Sequence, residues 1–148
     1  MGLDEYIYGK ISNYYRRKKE KLIRQQEQTV MLEAMKPRLM LIARALTGEE
    51  IEIFPAEKEG GCRDLFFFLP ELFYAFETRS QNEQFYFYRT LYLVVQHQLG
   101  INWKKDESFS DAVSREKAEA FAPVILAKMF TEFPGYERIF EELKIQLD

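Results

Sequence analysis

Histidine and cysteine are almost missing: His97 and Cys62 are the single examples of the two side chains that do most metal-binding and nucleophilic chemistry. A zinc site takes three or four His, Cys or acidic ligands, and the HExxH pattern takes two histidines, so no sequence-local metal centre exists. A lone cysteine closes no disulfide within its own chain, which fits a reducing compartment. A catalytic Cys62 would need a base or a helix N-terminus beside it, and its setting after Gly60-Gly61 offers no such signal. Both Cys62 and His97 are therefore expected to be structural, and no cofactor is expected. Phosphate loops are missing too, since neither GxxxxGK[ST] nor a strand–GxGxxG–helix occurs.

Long apolar runs are also absent. The longest uncharged apolar stretch, Thr90 to Ile101, contains Gln96 and His97 and is too short to span a bilayer. The opening residues MGLDEYIYGK place acids where a signal peptide carries positive charge. Tyr6 stands where a myristoylation signal needs Ser or Thr. The expected location is the cytoplasm.

What the chain does have is aromatic and apolar content. Thirteen Phe and nine Tyr contribute to 47% hydrophobic residues in a chain of 148, enough to bury the core of one domain without disulfides or metal. No internal repeat, linker or low-complexity segment divides it, so residues 1–148 are expected to form a single domain. The net charge of −3 is unevenly placed. Residues 1–30 hold seven Lys or Arg against four acids, which leaves −6 on the remainder. A globally basic nucleic-acid binder is not favoured.

Periodicity predicts a mainly α domain of about five helices, with one small β-hairpin packed on a central aromatic helix. Ile7, Ile11, Tyr14 and Leu22 place an amphipathic helix over Leu3 to about Gln28. A second helix is expected from about Thr29 to Leu46 on Met31, Met35, Leu39, Ile42 and Leu46, kinked or restarted at Pro37 and stopped at Thr47-Gly48. Ile51 to Phe54 and Leu65 to Leu69, on either side of the Gly60-Gly61 turn, read as the hairpin. Glu71 to Phe76 reads as a short helical or turn segment. Ser80-Gln81-Asn82-Glu83 matches a capping box ahead of an apolar helix reaching Leu99, expected to form the core. A polar loop, Asn102 to Asp111, precedes a helix from about Val113 to Phe133, with a kink or break expected at Pro123. Pro134-Gly135 then turns the chain into a last helix with Tyr136, Ile139, Phe140 and Leu143.

Asp106-Glu107-Ser108-Phe109-Ser110 matches the D-x-S-x-S metal-adhesion pattern, but in a polar loop rather than at the end of a buried strand, so a solvated loop is expected. The basic run Arg16, Arg17, Lys18, Lys19, Lys21 and Arg24 is a candidate partner surface. A charged face meeting only water is the commonest origin of such a run, followed by an acidic protein partner, then nucleic acid or an anionic membrane surface. The turn residues Glu57, Lys58, Glu59, Gly60 and Gly61 form a second candidate surface. Tyr88, Tyr92 and His97 form a candidate pocket on the central helix.

Three stretches, taken in order, resemble the N-terminal region of nitric oxide reductase activation proteins of the NorD type. These are Lys36-Pro37-Arg38-Leu39 through Ala43 to Gly48 with Ile51-Glu52-Ile53; Ala56 to Cys62 leading into Leu69-Pro70; and Asn82 to Leu99 with Tyr88-Arg89 and Leu91-Tyr92-Leu93. The resemblance covers about residues 1–103. Members of that family are cytoplasmic bacterial proteins with a C-terminal von Willebrand factor A domain, similar in arrangement to a protein that activates Rubisco beside its own ATPase. The resemblance implies a non-catalytic accessory role beside a MoxR-type AAA+ ATPase, in activating or remodelling a target enzyme such as nitric oxide reductase. Two departures stand out. No von Willebrand factor A domain is expected in these 148 residues. Leu93 stands four residues before His97, where some relatives carry a second histidine, so a metal site on that helix is not implied. The reading from another class is a degenerate metalloenzyme-like or small-ligand-binding domain built on the aromatic core around Tyr88, Tyr92 and His97.

Overall fold

The computed structural model of the protein describes residues 27–56, 60–101 and 111–147. The expected first helix with its basic run Arg16 to Arg24 lies outside these residues except at its very end. Glu57, Lys58 and Glu59 and the loop carrying Asp106 to Ser110 lie outside them too.

Apolar residues at helical spacing build α1 (Leu32–Thr47), which buries Leu32, Met35, Leu39 and Ala43 on one face. Pro37 sits inside α1 without ending it. Gly48 stops the helix in the left-handed region at φ 70, its N–H bonded to the carbonyl of Arg44 at 2.9 Å. The helix starts later than its periodicity suggests. Val30–Met31 instead form β1, antiparallel to β5 (Leu72–Phe73), with Val30 opposite Phe73 and Met31 opposite Leu72. The N–H of Leu32 also reaches across to the carbonyl of Glu71, at 2.9 Å. This distant backbone takes the bonds that a helical Thr29 to Met31 would have made internally, and it makes a strand of the expected helix or turn at 72–73.

Between these elements lies a three-stranded sheet of β2 (Glu52–Ala56), β3 (Gly61–Arg63) and β4 (Phe66–Pro70), in the order β2-β4-β3. The expected hairpin is corrected here. The two apolar runs do pair, but in parallel, from Glu52 opposite Phe66 to Ala56 opposite Pro70. The true hairpin joins β3 to β4, through Asp64 at φ 51 and Leu65. Alternation reveals a strand and its buried face but not its direction. The short Gly61-Cys62-Arg63 run, too polar to read as a strand, is the return stroke that lets β4 run beside β2.

The sheet has two distinct faces. Ile53, Cys62, Phe67 and Leu69 point inward and are buried. On the outer face, register aligns Glu52, Phe66 and Arg63 in one row and Phe54, Phe68 and Gly61 in the next. Phe54 meets Phe66 edge-on at 5.5 Å and Phe68 at 6.2 Å, and the Lys36 ammonium lies 5.6 Å from the Phe54 ring centre. The carbonyl of Leu65 accepts from the N–H of Glu52, so residues 53 and 55 turn their backbone polar groups away from β4. Pro55 carries no N–H there, which blunts the edge against further strand pairing.

α2 (Arg79–Gln98) touches α1, β1, β3, β4 and both later helices, and buries every side chain from Thr90 to Gln96. It begins earlier than Ser80-Gln81-Asn82-Glu83 suggested. Thr78 is the N-cap, and its hydroxyl and the Gln81 side chain exchange bonds with each other's backbone N–H at 3.2 Å. Thr78-Arg79-Ser80-Gln81 satisfies the same pattern, and the bonded pair decides between the two. α3 (Asp111–Glu132) runs through Pro123 and buries Ile125 and Met129; α4 (Gly135–Leu147) buries Leu143. The described residues are mainly α, with four helices from Leu32 onward and two small sheets in place of one hairpin; the first of the five expected helices lies outside them but for its last residues. Among the described residues, no helix is long and apolar enough to cross a membrane.

Candidate functional site

The first turns of α2 brace an exposed apolar corner. Asn82 is fully buried, and its side-chain oxygen accepts from the Phe76 N–H at 2.9 Å. Its amide donates to the carbonyls of Gln28, at 2.8 Å, and Phe76, at 3.1 Å. One turn on, the Tyr86 hydroxyl donates to the carbonyl of Pro70 at 2.6 Å, with the carbonyl of Val30 at 3.5 Å. Burial pushes the Tyr86 hydroxyl well above its ordinary pKa, and the charge of Glu71 adds to this. Gln28 in turn donates to the carbonyl of Tyr74 at 2.7 Å. The Phe73 ring lies flat on Phe85, with centres 3.7 Å apart.

These contacts hold residues 28–31 and 70–76 against α2 and leave three large side chains facing outward. Met31 is 49% exposed, Leu72 47% and Tyr74 44%. Met31 and Leu72 are register partners, so they share a face, and Tyr74 lies two residues beyond Leu72. Apolar side chains on a rigid frame can dock a partner with little ordering cost. Sequence reasoning missed this corner because Met31 fits the helical spacing of Met35 and Leu39. The alternation of Leu72 and Tyr74 after Pro70 was the available signal.

The candidate pocket residues do not converge. Tyr88 and Tyr92 share a stripe of α2, their ring centres 6.4 Å apart, and Tyr88 stacks on Phe140 at 5.5 Å with Phe130 behind. Tyr92 is buried, with the Arg89 guanidinium 4.8 Å from its ring centre. Burial pushes the Tyr88 hydroxyl up to about 12, with the Arg89 charge opposing and Tyr92 adding. Tyr92 is also raised by burial, against the charge and hydrogen bond of Arg89. His97 lies elsewhere: its ring meets Phe67 edge-on at 6.2 Å, and Nε2 is 3.3 Å from an Oε2 of Glu49.

Cys62 is buried on the inner face of β3, and burial, helped by the charge of Asp64, pushes its thiol up to about 12. Of the candidate turn residues, Gly60 and Gly61 are described. Gly60 has φ 82, and a Cβ there would lie 2.1 Å from the Phe68 carbonyl oxygen. Its glycine is explained by close backbone approach. Among the described residues, nothing lies within 4 Å of a Cβ added at Gly61. Among the described residues, no group of three or more His, Cys, Asp or Glu is placed to hold a metal ion.

Comparison of the chain with family models, curated proteins and solved structures gave no match.

Proposed function

We propose that this chain is a non-catalytic accessory domain that docks on another protein through the corner of Met31, Leu72 and Tyr74. The observation that carries the reading is that these exposed apolar side chains sit on backbone pinned from beneath by Asn82 and Tyr86. Exposed apolar groups on a preorganised frame are what protein partners bury at the centre of an interface. The resemblance to NorD-type N-terminal regions makes a MoxR-type AAA+ ATPase the expected partner, with its client enzyme, such as nitric oxide reductase, as the second expectation. The basic run Arg16 to Arg24 would add electrostatic steering towards an acidic surface and speed the encounter more than it deepens it.

The alternative, a small-ligand site at Tyr88, Tyr92 and His97, is not favoured by a stripe that Phe130 and Phe140 fill and a histidine directed elsewhere. The test is recovery of the ATPase from lysate of the source organism by the tagged chain. Two variants are compared with the wild type, Leu72→Asp/Tyr74→Ser and Arg16→Glu/Arg17→Glu/Lys18→Glu. Recovery is expected to be lost in the first and to become salt-sensitive or weak in the second. Equal recovery by all three forms would overturn the corner as the docking site.

A further inference from the structure

We propose that the outer face of the three-stranded sheet is a contact surface for a second copy of this chain. This inference stands apart from the corner at Met31 and Leu72 and does not depend on it. Phe54 is 40% exposed and Phe66 41% exposed on that face. The two rings are in contact, so they form one exposed aromatic patch of the kind that interfaces use. The arrangement around them indicates what covers it.

The two outward rows are self-complementary. In the first, Glu52 on β2 and Arg63 on β3 flank Phe66 on the central strand. In the second, Phe54 and the side-chain-free Gly61 flank Phe68. A two-fold axis running along β4 between two stacked faces sets β2 of each copy over β3 of the other. Glu52 then faces Arg63 of the second copy, and Phe54 faces its Gly61. Phe66 meets Phe66, and Phe68 meets Phe68. Opposite charges and a knob over a hole recur twice under one symmetry operation, as an isologous interface requires. Among the described residues nothing lies within 4 Å of a Cβ at Gly61, so they leave room there for the ring. A two-fold axis across the strands would instead set β2 over β2 and lose both matches.

The existing bond from Arg44 to Glu52, at 2.8 Å, is compatible with this arrangement. An Arg63 from the second copy would extend it into a rim of three charges. Such exposed charges fix orientation more than they add affinity. The face is about 14 Å wide and about 17 Å long from ordinary strand spacings. It therefore belongs to the small, reversible class of interfaces, and the dimer is weak and concentration-dependent.

The experiment is sedimentation equilibrium of the full chain from micromolar to millimolar concentration. The variants are Phe66→Asp, Gly61→Phe, Glu52→Arg, Arg63→Glu and the double charge swap Glu52→Arg/Arg63→Glu. Circular dichroism melting confirms that each is folded. Wild type is expected to form a reversible dimer, and Phe66→Asp and Gly61→Phe are expected to remain monomeric. Each single charge reversal is expected to weaken dimerisation about tenfold or more, because it places like charges across the axis. The double swap is expected to restore it, which loss of the interactions that Glu52 and Arg63 make within their own chain would not allow. A wild type that is monomeric throughout would overturn the proposal, as would a dimer indifferent to Phe66→Asp and Gly61→Phe. A double swap no tighter than the singles would overturn this two-fold arrangement.

Discussion

The Tyr86 hydroxyl and the Pro70 carbonyl meet at 2.6 Å, which ties the second turn of α2 to the last residue of β4. One turn earlier Asn82 binds Gln28 and Phe76, so two side chains four residues apart fasten two distant stretches of chain. Backbone groups that β1 and β5 are too short to satisfy alone are satisfied by these side chains.

Removing the fastening should be costly and non-additive. Asn82→Ala strands the Phe76 N–H and the Gln28 carbonyl in a buried site and should destabilise by about 2–4 kcal/mol. Tyr86→Phe loses one hydrogen bond and should cost about 1–2 kcal/mol. Urea unfolding of the singles and the double measures both, and a coupling energy of at least about 0.5 kcal/mol is expected because they hold the same segments.

Adjacent glycines should behave oppositely. Gly60→Ala drives a Cβ into the Phe68 carbonyl from a φ of 82, and relief requires breaking the β3–β4 pairing. A loss of about 3 kcal/mol or more is expected. Gly61→Ala meets none of the described residues within 4 Å and should stay within about 0.5 kcal/mol of wild type. Thermal melts of the two variants provide the comparison.

Alkaline pH should unfold the protein in a definite window. The Cys62 thiol rises from 9.0 to about 12 and the Tyr88 hydroxyl from 10.0 to about 12 on folding. The native chain therefore keeps protons that the unfolded chain releases. This contribution to stability is complete below pH 9.0, declines from there and is lost as pH passes about 12. Melting temperature against pH should fall through that window, and more gently in Cys62→Ala/Tyr88→Phe.

The same thiol should be chemically silent. Only the thiolate attacks a disulfide reagent, and Cys62 is 1% exposed with its pKa near 12. The native protein at pH 8 should react with a dithiobenzoate reagent at least about a hundredfold more slowly than the urea-unfolded chain. Rapid stoichiometric labelling of the native form would contradict this burial.

Much of this fold is legible where the cause is local. The helical spacing of Met35, Leu39 and Ile42 marks α1 and Gly48 marks its end, although Met31 and Leu46, read as part of the same face, are exposed. The alternation of Ile53 with Phe54, and of Phe67 with Phe66 and Phe68, separates inner from outer sheet face. Features set by distant partners are not legible. Val30 and Met31 continue a helical pattern in sequence and become strand only because residues 72–73 lie beside them. Parallel pairing of β2 with β4 depends on a return strand of three residues that carries almost no signal. The scattering of the candidate pocket could have been read from helix geometry, since five residues from Tyr92 to His97 turn the side chain about 140° around α2. The docking corner depends on side-chain bonds from Asn82 and Tyr86 to backbone that sequence spacing cannot bring together.

The measurement that bears most directly on the docking account is a titration of the purified MoxR-type ATPase against the full chain by calorimetry, with wild type and Leu72→Asp. The account predicts saturable binding for wild type and a loss of about 2 kcal/mol or more for Leu72→Asp, with an unchanged melting temperature. Wild-type binding that Leu72→Asp leaves intact, or no binding by the wild type to either the ATPase or its client, would contradict it.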